Sequence, residues 1–190
     1  MWSIRHPSEG AHAIGTARFV ERGLQQARVV VANTPRQDLH MPIALSDGAA
    51  LLFPHPDARD LADLSPDERP SQIVALDGTW PQARSLYRAN PWLAEVPHVS
   101  LSPDSPSRYR LRKEPRENYV STLESILLAL CILEPGLEVS SLLDAFDAMQ
   151  DAQFDRIAAA GDSGKRSKHK APRGFDRIPR WLGEDFETLT

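Results

Sequence analysis

Three short apolar runs constrain this chain more than anything else in it. Residues 28–32 (RVVVA), 49–53 (AALLF) and 72–76 (QIVAL) are continuous, aliphatic and too short for helices. That is the composition of strands buried on both faces. Residues 97–101 offer a fourth strand. Helical patterns separate these runs: residues 16–26 place Phe19, Val20 and Leu24 on one side and Arg18, Glu21 and Arg22 on the other. Residues 57–64 read as a brief helix, and residues 1–15 as irregular. Strands that alternate with helices predict an α/β fold with a mainly parallel sheet.

Two helix starts are marked by their chemistry. Residues 72–76 run into Asp77-Gly78-Thr79-Trp80, where Thr79 is placed as N-cap, Pro81 in the first turn and Gln82 three residues after the cap. Ser121-Thr122-Leu123-Glu124 repeats the arrangement and opens the most apolar helix, to about Glu134, which belongs inside the protein. For Ser121 and Glu124, capping alone is a sufficient role. Residues 139–160 form one more helix with Leu142, Leu143, Phe146, Met149 and Phe154 as its buried face.

At 190 residues, with 41% hydrophobic and 25% charged, the chain suits one ordinary globular domain. We divide it into a catalytic domain over 1–160 and a basic linker and tail over 161–190. A single cysteine, Cys131, excludes a disulfide framework and a cysteine zinc site. The six histidines show no metal-ligand pairing, so no metal is expected. No signal-peptide pattern is visible, and the longest apolar run, residues 126–133, is far below the roughly 20 needed to span a bilayer. A cytoplasmic protein without membrane contact is the expectation, with a monomer favoured.

Charge is unevenly spread. The net −4 conceals two basic islands, residues 107–116 and 161–174, each with five Lys/Arg and one acid. A uniformly basic nucleic-acid coat is excluded; a local phosphate-binding surface is not. In the first island, Arg108, Arg110 and Arg112 alternate with Tyr109 and Leu111, which on an extended segment puts the guanidinium groups on one face. Such a face fits phosphate, or serves only solubility. The second island lacks aromatics and reads equally as a flexible RNA-contacting loop or as a solvated linker.

Asp77 falls where ligands bind in parallel sheets, beyond a strand's carboxyl end and beside a helix N-terminus. Its bland role is a turn cap, with Trp80 as a core anchor. No G-x-x-x-x-G-K-[ST] loop and no G-x-G-x-x-G turn is present, which disfavours an NTPase or phosphatase.

The stretch Asp77-Gly78-Thr79-Trp80-Pro81-Gln82-Ala83-Arg84 resembles the signature of the DTW-domain family, the tRNA-uridine aminocarboxypropyltransferases. Leu51-Leu52-Phe53-Pro54 is similar to that family's first ligand loop. Residues 107–112 followed by 121–124 are similar to its third, and Pro7, Glu9 and residues 15–18 fit the domain's start. Together these blocks cover roughly residues 5–155.

The resemblance implies a SPOUT-like α/β fold with a knotted C-terminal half that binds S-adenosylmethionine. It also implies transfer of the 3-amino-3-carboxypropyl group to N3 of a tRNA uridine. The cofactor-binding positions it implies are Leu52, Phe53, Pro54, Leu76, Asp77, Thr79, Trp80, Ala83, Leu101, Tyr109, Leu111, Ser121 and Thr122. The tRNA-binding positions are Thr16, Arg18, Arg84, Arg108, Arg110 and Arg112. Trp80 and Ala83 are candidates for a wall that buries the donor methyl group. Asp77 is the candidate catalytic residue, either as general base toward the uridine imide or as partner of the donor's α-ammonium. The alternatives are a methyltransferase of the same superfamily and a non-catalytic RNA-binding module. Many relatives carry a Cys-rich zinc module that this chain does not; the departure bears on the RNA substrate rather than on the transfer chemistry.

Overall fold

A computed structural model describes residues 1–11, 16–32, 43–111 and 119–161. It divides into two compact units, Met1–Ser102 with Thr122–Leu137, and Pro103–Ser121 with Glu138–Thr190. Of the linker and tail expected over 161–190, residues 162–190 lie outside the described residues, with every Lys and Arg of the second basic island, as does Arg112.

The first unit is an α/β sheet. Its strands are β1 (Trp2–Arg5), β2 (Arg28–Val31), β3 (Ala49–Leu52), β4 (Arg59–Asp60), β5 (Gln72–Asp77) and β6 (His98–Ser100). They run in the order β2-β1-β5-β3-β6-β4, and every pairing is parallel. Among the described residues, the α-helices that accompany them are α1 (Ala17–Gly23), α2 (Trp80–Ala89) and α3 (Thr122–Leu133).

Period-2 alternation sorts the strand side chains onto two faces. Ile4, Leu51, Val74 and Leu76 share a buried cluster with Ala83 and Leu86 of α2 and with Leu93 and Val96. Ala50, Ile73 and Val99 pack with Ala129 of α3 and with Leu61 and Leu64. The sheet is therefore covered by α2 on one side and α3 on the other, and α1 lies against α3.

Three sequence expectations need correction. Residues 1–15 are not irregular throughout, because Trp2–Arg5 forms β1, paired on both sides. Four residues are too few to show a period. Second, β2 is not buried on both faces; it is an edge strand whose Val31 is 52% exposed. Third, residues 57–64 are not an α-helix. They form the two-residue β4 and a 3-10 turn, Leu61–Asp63, with the Asp60 side chain accepting from the Ala62 amide at 2.9 Å.

The second unit is built on α4 (Ser140–Gly161). Leu143 and Phe146 are buried as expected, whereas Leu142, Met149 and Phe154 are only half-buried. The buried residue that the apolar pattern missed is Gln150, at 0% exposure. It accepts from the Arg110 amide (2.6 Å) and donates to the Arg108 carbonyl (3.2 Å), pinning residues 108–110 to the helix. Arg108 pairs with Asp147, and Arg110 pairs with Asp151 at 2.7 Å while lying 5.7 Å over the Phe154 ring. Tyr109 contacts Phe146, with ring centroids 5.5 Å apart. The expected two-sided alternation is thus absent: all three side chains reach α4, because a turn rather than a strand carries them.

Candidate active site

Adjacent strands β1 and β5 send their chains to opposite sides of the sheet. From β1 the chain passes through α1, on the α3 side, to β2; from β5 it passes through α2 and reaches β6 beyond β3. A gap at such a reversal point, outside the carboxyl ends of the strands, is where parallel sheets place ligands. The residues at this point are Arg5, the last of β1, and Asp77, the last of β5, which are register partners.

The local sequence explains how Asp77 is held. Its carbonyl accepts from the His6 amide at 2.9 Å, extending the β1–β5 ladder by one bond. Gly78 follows, and a Cβ there would sit 3.0 Å from Gln82 Cβ and 3.3 Å from His6 Cβ, so any side chain would have to push these two elements slightly apart. Thr79 then caps α2: its hydroxyl accepts from the Gln82 amide (3.4 Å), and its own amide donates to Gln82 Oε1 (2.5 Å). The expected capping box is present.

Asp77 is 3% exposed, and Oδ2 lies 3.4 Å from Arg5 Nε. The two charges are in contact without a well-aligned hydrogen bond, leaving Arg5 Nε, Arg5 Nη2 and Asp77 Oδ2 buried and unsatisfied, together with Ser3 Oγ. Each such group costs about 1–3 kcal/mol. Burial pushes the Asp77 carboxyl above the ordinary carboxylate range; Arg5 and a hydrogen bond from Thr122 oppose this, and the Glu9 charge adds to it. A carboxylate whose proton affinity is raised beside a fixed cation is a pattern of functional sites.

The remaining expected positions fall into three groups. Phe53, Leu76 and Ala83 join the cluster on the α2 side, while Leu52 and Leu101 pack on the α3 side. Pro54 is exposed, and Thr79, Trp80 and Thr122 are half-buried at the helix starts. Tyr109, Leu111 and Ser121 belong to the second unit. Of the expected RNA-binding residues, Arg18 and Arg84 are exposed and Thr16 is buried. Arg5 was missed because its significance rests on a partner distant in sequence, and Trp2-Ser3-Ile4 before it carries no strand signal.

A second group of rings flanks β3. Phe53 stacks on Tyr87 (5.0 Å, 8°), and the Tyr87 hydroxyl hydrogen-bonds His98 Nε2 at 3.1 Å. His55 lies 4.4 Å from His98, ring to ring. Burial and the neighbouring His55 push the His98 pKa down. Among the described residues, no three His, Cys, Asp or Glu side chains converge to hold a metal ion, and no helix is long and apolar enough to cross a membrane.

Comparison with known proteins then adds an independent line. The family model described as the DTW domain matches residues 1–154. A protein of Drosophila melanogaster named tRNA-uridine aminocarboxypropyltransferase 2 is 32% identical over 146 residues, 74% of this chain and 58% of its own length. Proteins of the same name from Mus musculus (30% over 141 residues, 70% of this chain and 47% of that protein) and Macaca fascicularis (28% over 150 residues, 75% and 50%) also match. The chain thus spans about half the length of these relatives. No solved structure matches.

Proposed function

Because the chain belongs to the DTW-domain family, we propose that it transfers the 3-amino-3-carboxypropyl group of S-adenosylmethionine to N3 of a uridine in tRNA. The observation that carries the proposal is the buried Asp77–Arg5 pair at the reversal point of the sheet. The names borne by the relatives support the reaction class.

When bound, the donor supplies a sulfonium centre with electrophilic carbons on either side. The protein's task is positioning, which accounts for much of the rate in a displacement. We assign the donor to the strand ends and helix starts of the first unit: Phe53 and Pro54 after β3, Thr79 and Trp80 at α2, and Thr122 at α3. Leu52, Leu76, Ala83 and Leu101 support this site from the core. Tyr109, Leu111 and Ser121 are the further donor-binding positions that the family resemblance implies. Unsatisfied polar atoms on Arg5 and Asp77 fit a donor that carries both a carboxylate and an ammonium group. Two tasks call for a carboxylate here, accepting the uridine imide proton and holding the ammonium, and either makes activity depend on Asp77.

For tRNA we assign direct phosphate contact to the exposed Arg18 and Arg84. Arg108 and Arg110 already pair with Asp147 and Asp151, so they serve the RNA surface chiefly by fixing its shape. Arg112 and Thr16 complete the proposed set of RNA-binding residues. The cytoplasm is the proposed location.

The test is nucleoside mass spectrometry of tRNA from cells with and without the gene. An aminocarboxypropyl-uridine that vanishes on deletion and returns with the wild type, but not with Asp77→Asn, is the expected result. A single-methyl nucleoside showing the same dependence would replace this reading with a methyltransferase. No change in any nucleoside, with tRNA binding intact, would replace it with a binding module.

A further inference from the structure

We infer that Arg5 and Asp77 form a two-point reader of an α-amino-acid group, Arg5 taking its carboxylate and Asp77 its ammonium. The inference rests on the donor reading above and assigns Asp77 the second of its two possible tasks.

The geometry argues for more than a structural ion pair. A buried pair stabilises a fold only when its remaining donors and acceptors are satisfied, because desolvation otherwise outweighs the attraction. Here Arg5 as a whole is 9% exposed, yet Nε and Nη2 lack acceptors, and the facing Asp77 Oδ2 lacks a donor. Arg is built to take a carboxylate through two parallel N–H groups, and the unfilled Nε and Nη2 are such a pair. Asp77 Oδ2 is an acceptor with no donor, which an ammonium supplies. Complementary unfilled capacity therefore sits on both partners, 3.4 Å apart. It matches a zwitterion and neither a simple anion nor a simple cation.

Position agrees. Both side chains end parallel strands at the reversal point, and each keeps a small exposed part, 11% for Arg5 and 5% for Asp77. They lie on the sheet face opposite Ile4 and Leu76, whose side chains belong to the α2-side core. Amino-acid recognition is thereby separated from the apolar core under α2.

Equilibrium binding to the full chain tests this with three ligands: S-adenosylmethionine, its decarboxylated analogue, and methylthioadenosine, which lacks the amino-acid group. The wild type is expected to prefer S-adenosylmethionine over the decarboxylated analogue by about tenfold or more, the range of a charge-assisted hydrogen bond. Arg5→Gln should bring that ratio close to one, Arg5→Lys should restore part of it, and methylthioadenosine affinity should hold in both. Asp77→Asn should weaken S-adenosylmethionine but leave methylthioadenosine unchanged. A wild type without preference overturns the inference whether or not any variant folds. So does an Arg5→Gln protein that keeps the preference, or that loses all three ligands equally. If the wild type binds none of the three, the donor reading itself falls.

Discussion

A single methyl group at Gly78 would meet Gln82 and His6 together, so this position couples the start of α2 to the end of β1. Gly78→Ala is expected to cost about 1–3 kcal/mol, the usual penalty for overpacking, read as a lower midpoint in urea unfolding. Donor affinity should fall with it, since Asp77 is the preceding residue. Asp77→Asn should behave differently. The raised carboxyl pKa means that the folded state holds this proton more tightly than the unfolded chain does. Its favourable contribution is therefore full at acid pH and is lost as pH rises through the raised value. Burial of this carboxyl therefore lowers stability at neutral pH, so Asp77→Asn should abolish transfer without lowering Tm at about pH 7.5. A large drop in Tm would instead mark Asp77 as structural.

Elements differ in how openly the sequence declares them. β5, α2 and α3 were legible because a continuous aliphatic run, a capping box and an all-round apolar helix are local signals. β1 was not, since its central place comes from two neighbours rather than from its own four residues. β2 has the composition of a central strand and lies at an edge, a difference that only strand order decides. Gln150 interrupts an apolar face in the sequence but ties residues 108–110 to α4. Gln150→Leu should cost about 1–3 kcal/mol by stranding backbone groups and should speed hydrogen exchange at the Arg110 amide. The ring group beside β3 makes a pH prediction. His98 is held below the ordinary histidine value of 6.5, so its contribution is full above that value and is lost as pH falls through the depressed one. Wild-type Tm should decline on acidification below pH ~6.5, and His98→Gln should flatten that limb.

For the molecule as a whole, an acidic average with local basic groups remains the basis of the proposed tRNA encounter, but the structure changes which arginines are open to it. Arg108 and Arg110 spend much of their charge on α4, whereas Arg84 is exposed on α2. Arg84→Glu should therefore weaken tRNA binding more than Arg110→Ala, and should reduce the slope of log affinity against log salt by about one contact or more. A measurement of tRNA affinity at several salt concentrations distinguishes them; equal effects would return the main role to the first basic island. The α/β class and the Asp77 position were legible from the sequence because both arise from local patterns. Arg5 and the attachment of residues 108–110 to α4 were not, because they depend on pairings that only the folded chain brings about.

The central claim is that this protein moves the amino-acid arm of the donor, not its methyl group. Purified protein, unmodified tRNA and S-adenosylmethionine labelled either in the carboxyl carbon or in the methyl carbon test it most directly. Label from the carboxyl carbon should appear in a modified uridine, with none from the methyl. Incorporation of the methyl label alone would contradict the account.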